Sequence, residues 1–124
     1  MIGLTTSVRV YVCTHPADMR RSFDGLCGMA QNVMKQDPLS GALFVFRNRN
    51  RDRLKIMYWD KDGLAIWYKR LEAGSFQLPT DMQSKDERPA NAEITTEELS
   101  MLLGGIDLAN VKRRKRYQAP SKPR

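Results

Sequence analysis

Five adjacent cations, Lys112, Arg113, Arg114, Lys115 and Arg116, carry the strongest chemical signal in this 124-residue sequence. No core accommodates such a run, and it attracts polyanions by releasing their counterions, with a salt slope of about 0.9 per phosphate neutralised on duplex DNA. DNA binding without sequence preference is the expectation; a solvated tail, or contact with an acidic protein surface, are the alternatives. A second cationic set, Arg47, Arg49, Arg51, Arg53 and Lys55, is spaced by two. In an extended ribbon that spacing would aim all five at one face as a second nucleic-acid contact, although a turn among them interrupts the register. A charged, solvated hairpin tip is the plainer alternative. Phe44, Phe46, Tyr58, Trp59, Trp67 and Tyr68 interleave with these cations. Most are expected in the core, with one outward-facing set left as a partner or dimer surface.

Catalytic chemistry has thin support. Asp18, Asp24, Asp60 and Asp62 are the carboxylates a metal-dependent nuclease would have to gather, yet Asp18 stands where a helix cap is needed and Asp60 and Asp62 border a turn. The twelfth position counted from Asp60 is Leu71, not the glutamate of a calcium loop. Cys13, His15 and Cys27 lack the spacing of a closed zinc site, and a Cys27–His15 nucleophile pair has no orienting third group. The expectation is no enzyme, no metal and no cofactor, with both cysteines as reduced thiols.

The elements that position these residues follow from periodicity. Residues 7–13 alternate, with Val8, Val10 and Val12 on one side, and predict a strand. After His15-Pro16, with Asp18 as N-cap, Met19, Phe23, Leu26, Ala30 and Val33 recur at helical spacing and predict one long amphipathic helix over 19–36. Gly25 and Gly28 within it suggest close packing against a neighbour. Three runs of β-formers, 43–47, 54–59 and 64–69, then predict an antiparallel meander, its second hairpin turning at Asp62-Gly63. The middle run is apolar on both faces, so one face covers the helix and the other awaits a partner. Residues 80–93 read as a polar linker; Thr95 with Glu98 forms a capping box opening a short helix with Leu99, Leu102 and Leu103 on its apolar face.

Charge is distributed unevenly. Residues 1–111 hold 14 Lys and Arg against 14 Asp and Glu, so the formal net charge of +7 belongs to the last thirteen residues. No stretch nears the roughly 18 apolar residues of a membrane span, and no secretory pattern opens the chain, so a cytoplasmic protein without membrane contact is expected.

The ordered segments Pro16-Ala17-Asp18-Met19-Arg20-Arg21-Ser22-Phe23-Asp24-Gly25-Leu26, Asp37-Pro38-Leu39-Ser40-Gly41 and Leu43-Phe44-Val45-Phe46 closely resemble the accessory protein encoded by the second reading frame of IS-sixty-six family insertion sequences. The resemblance continues through Asp52-Arg53-Leu54-Lys55-Ile56, Tyr58-Trp59-Asp60, Asp62-Gly63, Trp67, Lys69-Arg70-Leu71-Glu72, Gly74 and Phe76 to Pro79, and loosely over 94–107. It implies a role in bacterial DNA transposition beside a separate, larger transposase that carries the catalytic carboxylates. The family name, TnpB, is shared with unrelated RNA-guided nucleases. Leu78 departs from the tryptophan the family often has there, and the terminal basic run lies outside the matched segments.

Together these readings give an α+β fold: a core domain over 1–79, a linker over 80–93, a docking helix over 94–107 and a disordered basic tail over 108–124. The expected function is a non-catalytic transposition accessory factor that binds DNA through the tail, with Arg47 to Lys55 as a second contact. The alternative is an adaptor that recruits the transposase through the apolar sheet face and Arg20, Arg21, Trp59, Trp67, Lys69 and Arg70. Self-association is left open.

Overall fold

Val10 and Val12 face one way and Tyr11 and Cys13 the other, and the strand they form, β1 (Val10–Cys13), is buried on both sides. A computed structural model describes residues 7–78, 81, 89–104, 106–107 and 112–113, the last two pairs by backbone alone. After β1 come α1 (Phe23–Asn32), β2 (Leu43–Arg47), β3 (Arg53–Asp60), β4 (Gly63–Arg70), β5 (Asn91–Ile94) and α2 (Thr96–Gly104). Two short strands, β6 (Ile106–Asp107) and β7 (Lys112–Arg113), pair antiparallel with each other. The main sheet runs β4-β3-β2-β1-β5.

The architecture is α+β, but the sheet is mixed where a small antiparallel meander was expected. β2, β3 and β4 pair antiparallel with their sequence neighbours, whereas β1 runs parallel to β2. The cause is the helix between them: a crossover through α1 returns the chain in the same direction, which a tight hairpin cannot do. The second hairpin is as tight as expected, but its tip is Lys61-Asp62, with Lys61 at φ 56° and Gly63 already paired with Asp60.

The long helix over 19–36 is corrected to the ten residues of α1. Asp18 does not cap it. Its carboxylate instead accepts the Arg20 N–H at 2.9 Å and closes a turn before the helix begins. At the far end Lys35 takes a left-handed φ of 58°, and the Gln36 N–H reaches back to Ala30 O at 2.9 Å, a reversal that terminates helices. Gly25 meets the packing expectation, since a Cβ there would lie 3.1 Å from the Arg21 stem; Gly28 has no such neighbour.

Both faces of the sheet are covered. Tyr11, Phe44, Phe46 and Met57 receive Leu26, Met29 and Ala30 of α1. On the other face Val12, Val45 and Ile56 receive Phe76, Leu99 and Leu102. The capping box is formed, with the Glu98 N–H donating to Thr95 Oγ1 at 3.0 Å and the Thr95 N–H to Glu98 Oε1 at 2.9 Å. A nine-residue helix is marginal alone in water. Burial of Leu99 and Leu102, at about 1.5–3 kcal/mol each, is what holds α2 in place.

The stretch read as a linker is tied to the core at both described ends. β5 pairs with β1, Thr14 donates from its backbone to Ala90 O at 3.1 Å and from its hydroxyl to Pro89 O, and Asp81 is buried. Asn, Ala and Glu are weak strand formers, and the free edge of β1 overrides their preference.

Candidate nucleic-acid interface

Two polar segments meet beside the N-terminus of α1. One is the 16–22 lead-in, turned by Asp18. The other is the loop between β2 and β3, in which Asn48 Nδ2 donates to Asp52 Oδ1 at 2.7 Å and the Arg53 N–H donates to Asn48 Oδ1 at 2.9 Å. Arg51, at φ 64°, closes the turn by donating to Asn48 O at 3.1 Å, and its own carbonyl accepts the Phe76 N–H. These bonds make the loop a fixed support for whatever projects from it.

The five alternating cations do not share a face. Arg47 and Lys55 lie in different strands and point to opposite sides of the sheet, because Arg47 is paired with Leu54, not with Lys55. Arg47 is 5% exposed and makes a bidentate pair with Asp81, at 2.9 and 2.7 Å, plus a 2.7 Å bond to Phe76 O. Lys55 is 8% exposed, and its ammonium donates to Met19 O and Arg21 O, both at 2.8 Å, while lying 4.8 Å from the centre of the Tyr68 ring. Both are corrected from phosphate contacts to supports. Arg51 also turns toward Asp81, at 3.6 Å. That leaves Arg49 exposed and Arg53 half-buried, with Arg53 Nη1 3.4 Å from the Tyr68 hydroxyl.

Lys55 fixes the lead-in from beneath. Lys55→Met keeps the stem but removes both donors, leaving two carbonyls dependent on water. The expected loss is about 1–3 kcal/mol, read as a lower urea midpoint; an unchanged midpoint would show that water replaces the ammonium at no cost.

Between the two segments lies an open groove of about 420 Å³ whose walls include Asp18, Asn48, Arg49, Asn50 and Arg53. A second depression of about 400 Å³ shares Ala17, Asp18 and Arg49 and adds Arg21, so the two are halves of one surface. Its acids are already engaged. Arg20 pairs with Asp18 at 2.7 Å, and its guanidinium, then its backbone N–H, hold the Asp18 carboxyl down at about 2. Asp52 accepts from Asn48. Arg21 and Arg49 form no ion pair among the described residues. The surface is therefore cationic, with amide donors from Asn48 and Asn50 beside the guanidinium groups, the mixture that binds phosphate oxygens.

The other sequence candidates are dispersed. Trp67 is half-buried against the second core, Trp59 is half-buried, and Lys69 donates to Leu103 O at 3.3 Å, near the C-terminal end of α2. Arg70 is exposed and bound to Glu72 at 2.9 Å. Lys112 and Arg113 form β7; Arg114, Lys115 and Arg116 lie outside the described residues. Burial pushes the Cys13 thiol up, and burial followed by the charge of Asp24 pushes Cys27 up, the opposite of an activated nucleophile. Arg21 entered the sequence reading as a protein contact and stands in the groove. Asp81, which anchors Arg47, gave no local signal at all.

The family model described as IS66 Orf2 like protein matches residues 8–113, which takes in the groove, both cores and the start of the basic run. Two proteins of Sinorhizobium fredii are similar over nearly the whole chain. Uncharacterized protein y4jC is 36% identical over 114 residues, 92% of each chain. Uncharacterized protein y4hO is 42% identical over 107 residues, 86% of this chain and 88% of its own. No solved structure matches. With the family model spanning both cores and the groove, the chain belongs to the IS66 Orf2-like family and is an insertion-sequence-associated accessory protein.

Proposed function

We propose that this accessory protein is a non-catalytic binder of the DNA backbone that serves transposition. The groove lined by Arg21, Arg49 and Arg53 is one contact and the run Lys112, Arg113, Arg114, Lys115 and Arg116 the other. The observation that carries this is the groove itself: Arg21, Arg49 and Arg53 on a hydrogen-bonded support, with the Asp18 carboxylate paired to Arg20, so that these cations outnumber the one remaining acid, Asp52, which accepts a hydrogen bond from Asn48. Phosphate contacts position a protein without reading sequence, so any choice of element-end DNA is left to the separate transposase.

The adaptor alternative drew its motive from an uncovered apolar sheet face. That face is occupied by Phe76, Leu99 and Leu102, so the motive is gone. Transposase binding remains the result to seek if DNA is not bound.

The test is duplex binding by the full chain over a salt series, read by fluorescence anisotropy on element-end and unrelated duplexes of equal length. Arg21→Ala and Arg49→Ala are each expected to weaken binding to both duplexes alike and to reduce the slope of log K against log salt by about 0.9. Absence of binding at low salt would sink the proposal. Wild-type slopes in both variants would remove the groove from it.

A further inference from the structure

β4 is an outer strand, and among the described residues no strand pairs with its free edge. Asp60 pairs with Gly63 across the two-residue tip, and the Leu71 N–H donates to Asp52 O at 2.7 Å. Odd-numbered residues of β4 therefore direct their backbone groups at β3, while Leu64, Ile66, Tyr68 and Arg70 direct theirs outward. The edge is eight residues long and contains no proline; Leu64, Ala65, Ile66 and Trp67 are half-buried, and Tyr68 is 47% exposed. Edges of that length are normally blunted by charge, proline or shortening. The opposite edge, β5, is four residues long and carries Glu93.

We propose that β4 pairs antiparallel with β4 of a second copy, about a two-fold axis at Ile66, joining two sheets into one. The charge pattern argues for a second copy as the occupant. An antiparallel partner with the same sequence brings an acidic hairpin tip beside a basic strand end, and it does so twice. With the axis at Ile66, Tyr68 faces the partner's Leu64 with outward backbone groups on both, and Arg70 faces the partner's Asp62 at the hairpin tip, where the match is between side-chain charges because the Asp62 N–H already donates to Asp60 O. An axis at Ala65 carries Arg70 past the tip of the partner's hairpin. An axis at Trp67 sets Asp62 against the partner's Glu72. Asp62 is exposed and in no ion pair among the described residues, so it is available for this contact. A two-fold axis normal to the sheet also puts both α1 helices on the same face.

Sedimentation equilibrium of the full chain tests the pairing independently of any DNA. The wild type is expected at twice the 14.3 kDa chain mass. Tyr68→Pro removes an outward N–H and no backbone bond between β3 and β4, together with the side-chain contacts of Tyr68 to Arg53 and Lys55, and is expected at one chain mass with an unchanged circular dichroism spectrum. Arg70→Asp is expected to raise the dimer dissociation constant about tenfold or more, and Asp62→Arg combined with Arg70→Asp to restore it. Should Tyr68→Pro fail to fold, the charge exchange decides. A wild type at one chain mass up to its solubility limit overturns the proposal, as does a dimer indifferent to Tyr68→Pro or a charge exchange without rescue.

Discussion

Arg47→Ala is expected to lower stability by about 3–5 kcal/mol, the loss typical when one partner of a buried ion pair is removed. The side chains of Arg47 and Asp81 are 6% and 4% exposed, so the Asp81 carboxylate, deprived of Arg47, stays out of reach of bulk water. The same change strips the 2.7 Å bond from Phe76 O. Arg51, 3.6 Å from Asp81 and more exposed, offsets only part of the charge. Against the roughly 5–15 kcal/mol that holds a domain of this size together, that loss is a large share of the total. Urea unfolding measures it. A loss below about 1 kcal/mol, the value of a surface pair, would mean the site is open to water.

Acid gives the same pair a second readout. Burial alone would raise the Asp81 carboxyl, but the Arg47 hydrogen bonds, the Leu78 N–H at 2.8 Å and the charges of Arg47 and Arg51 outweigh it and hold the group below its ordinary value. A depressed folded pKa means the folded state holds its carboxylate more readily than the unfolded chain does. The contribution is therefore complete above the unfolded value, about 3.9, and is lost as pH falls from there through the folded pKa. Wild type minus Asp81→Asn should be constant from pH 7 to pH 5 and shrink below about 4. Asp18, also depressed, is present in both proteins and cancels.

What the sequence disclosed was local. The α2 cap lies within four residues, and both of its bonds form. Alternation in β1 and the apolar runs of β2 to β4 reflect burial on a pleated surface, and those strands exist. The helix between β1 and β2 was itself the sign of a parallel crossover, but counting strands without asking how far apart their ends lie hides it. Helical spacing extended the helix through Met19 and Val33, both of which do pack on the first core. Periodicity records which residues are buried, not whether the backbone between them is helical. β5 and Asp81 were invisible because their reasons lie in residues far along the chain: the free edge of β1 and the guanidinium of Arg47.

The cationic alternation failed for a similar reason. A spacing of two gives one face only within one strand, and the 48–52 turn resets it, so Arg47 and Lys55 bury on opposite sides. Each nonetheless supports the groove. Arg47 and its Asp81 partner sit under the loop through Phe76, whose N–H bonds Arg51 O, and Lys55 holds the carbonyls of Met19 and Arg21. Two residues expected to touch phosphate are instead buried supports beneath the segments that carry Arg21 and Arg49.

Neutralising the terminal run is expected to have the largest effect on DNA binding. Truncation after Val111 is a blunt way to do it, because it removes β7 and leaves β6 unpaired. Replacing Lys112, Arg113, Arg114, Lys115 and Arg116 by glutamine keeps the backbone and removes five charges. At about 0.9 per phosphate the salt slope falls by about 4–5, so from 50 to 200 mM salt the full chain loses roughly 500-fold more affinity than the variant does. The three groove cations contribute a further slope of about 3 if both surfaces lie on one duplex, and about 7 in all for the wild type. The two contributions add only in that case. A wild-type slope near 4–5 that the glutamine variant abolishes would make the tail act alone, and a slope near 3 that the variant leaves unchanged would assign DNA to the groove and free the tail for an acidic protein surface.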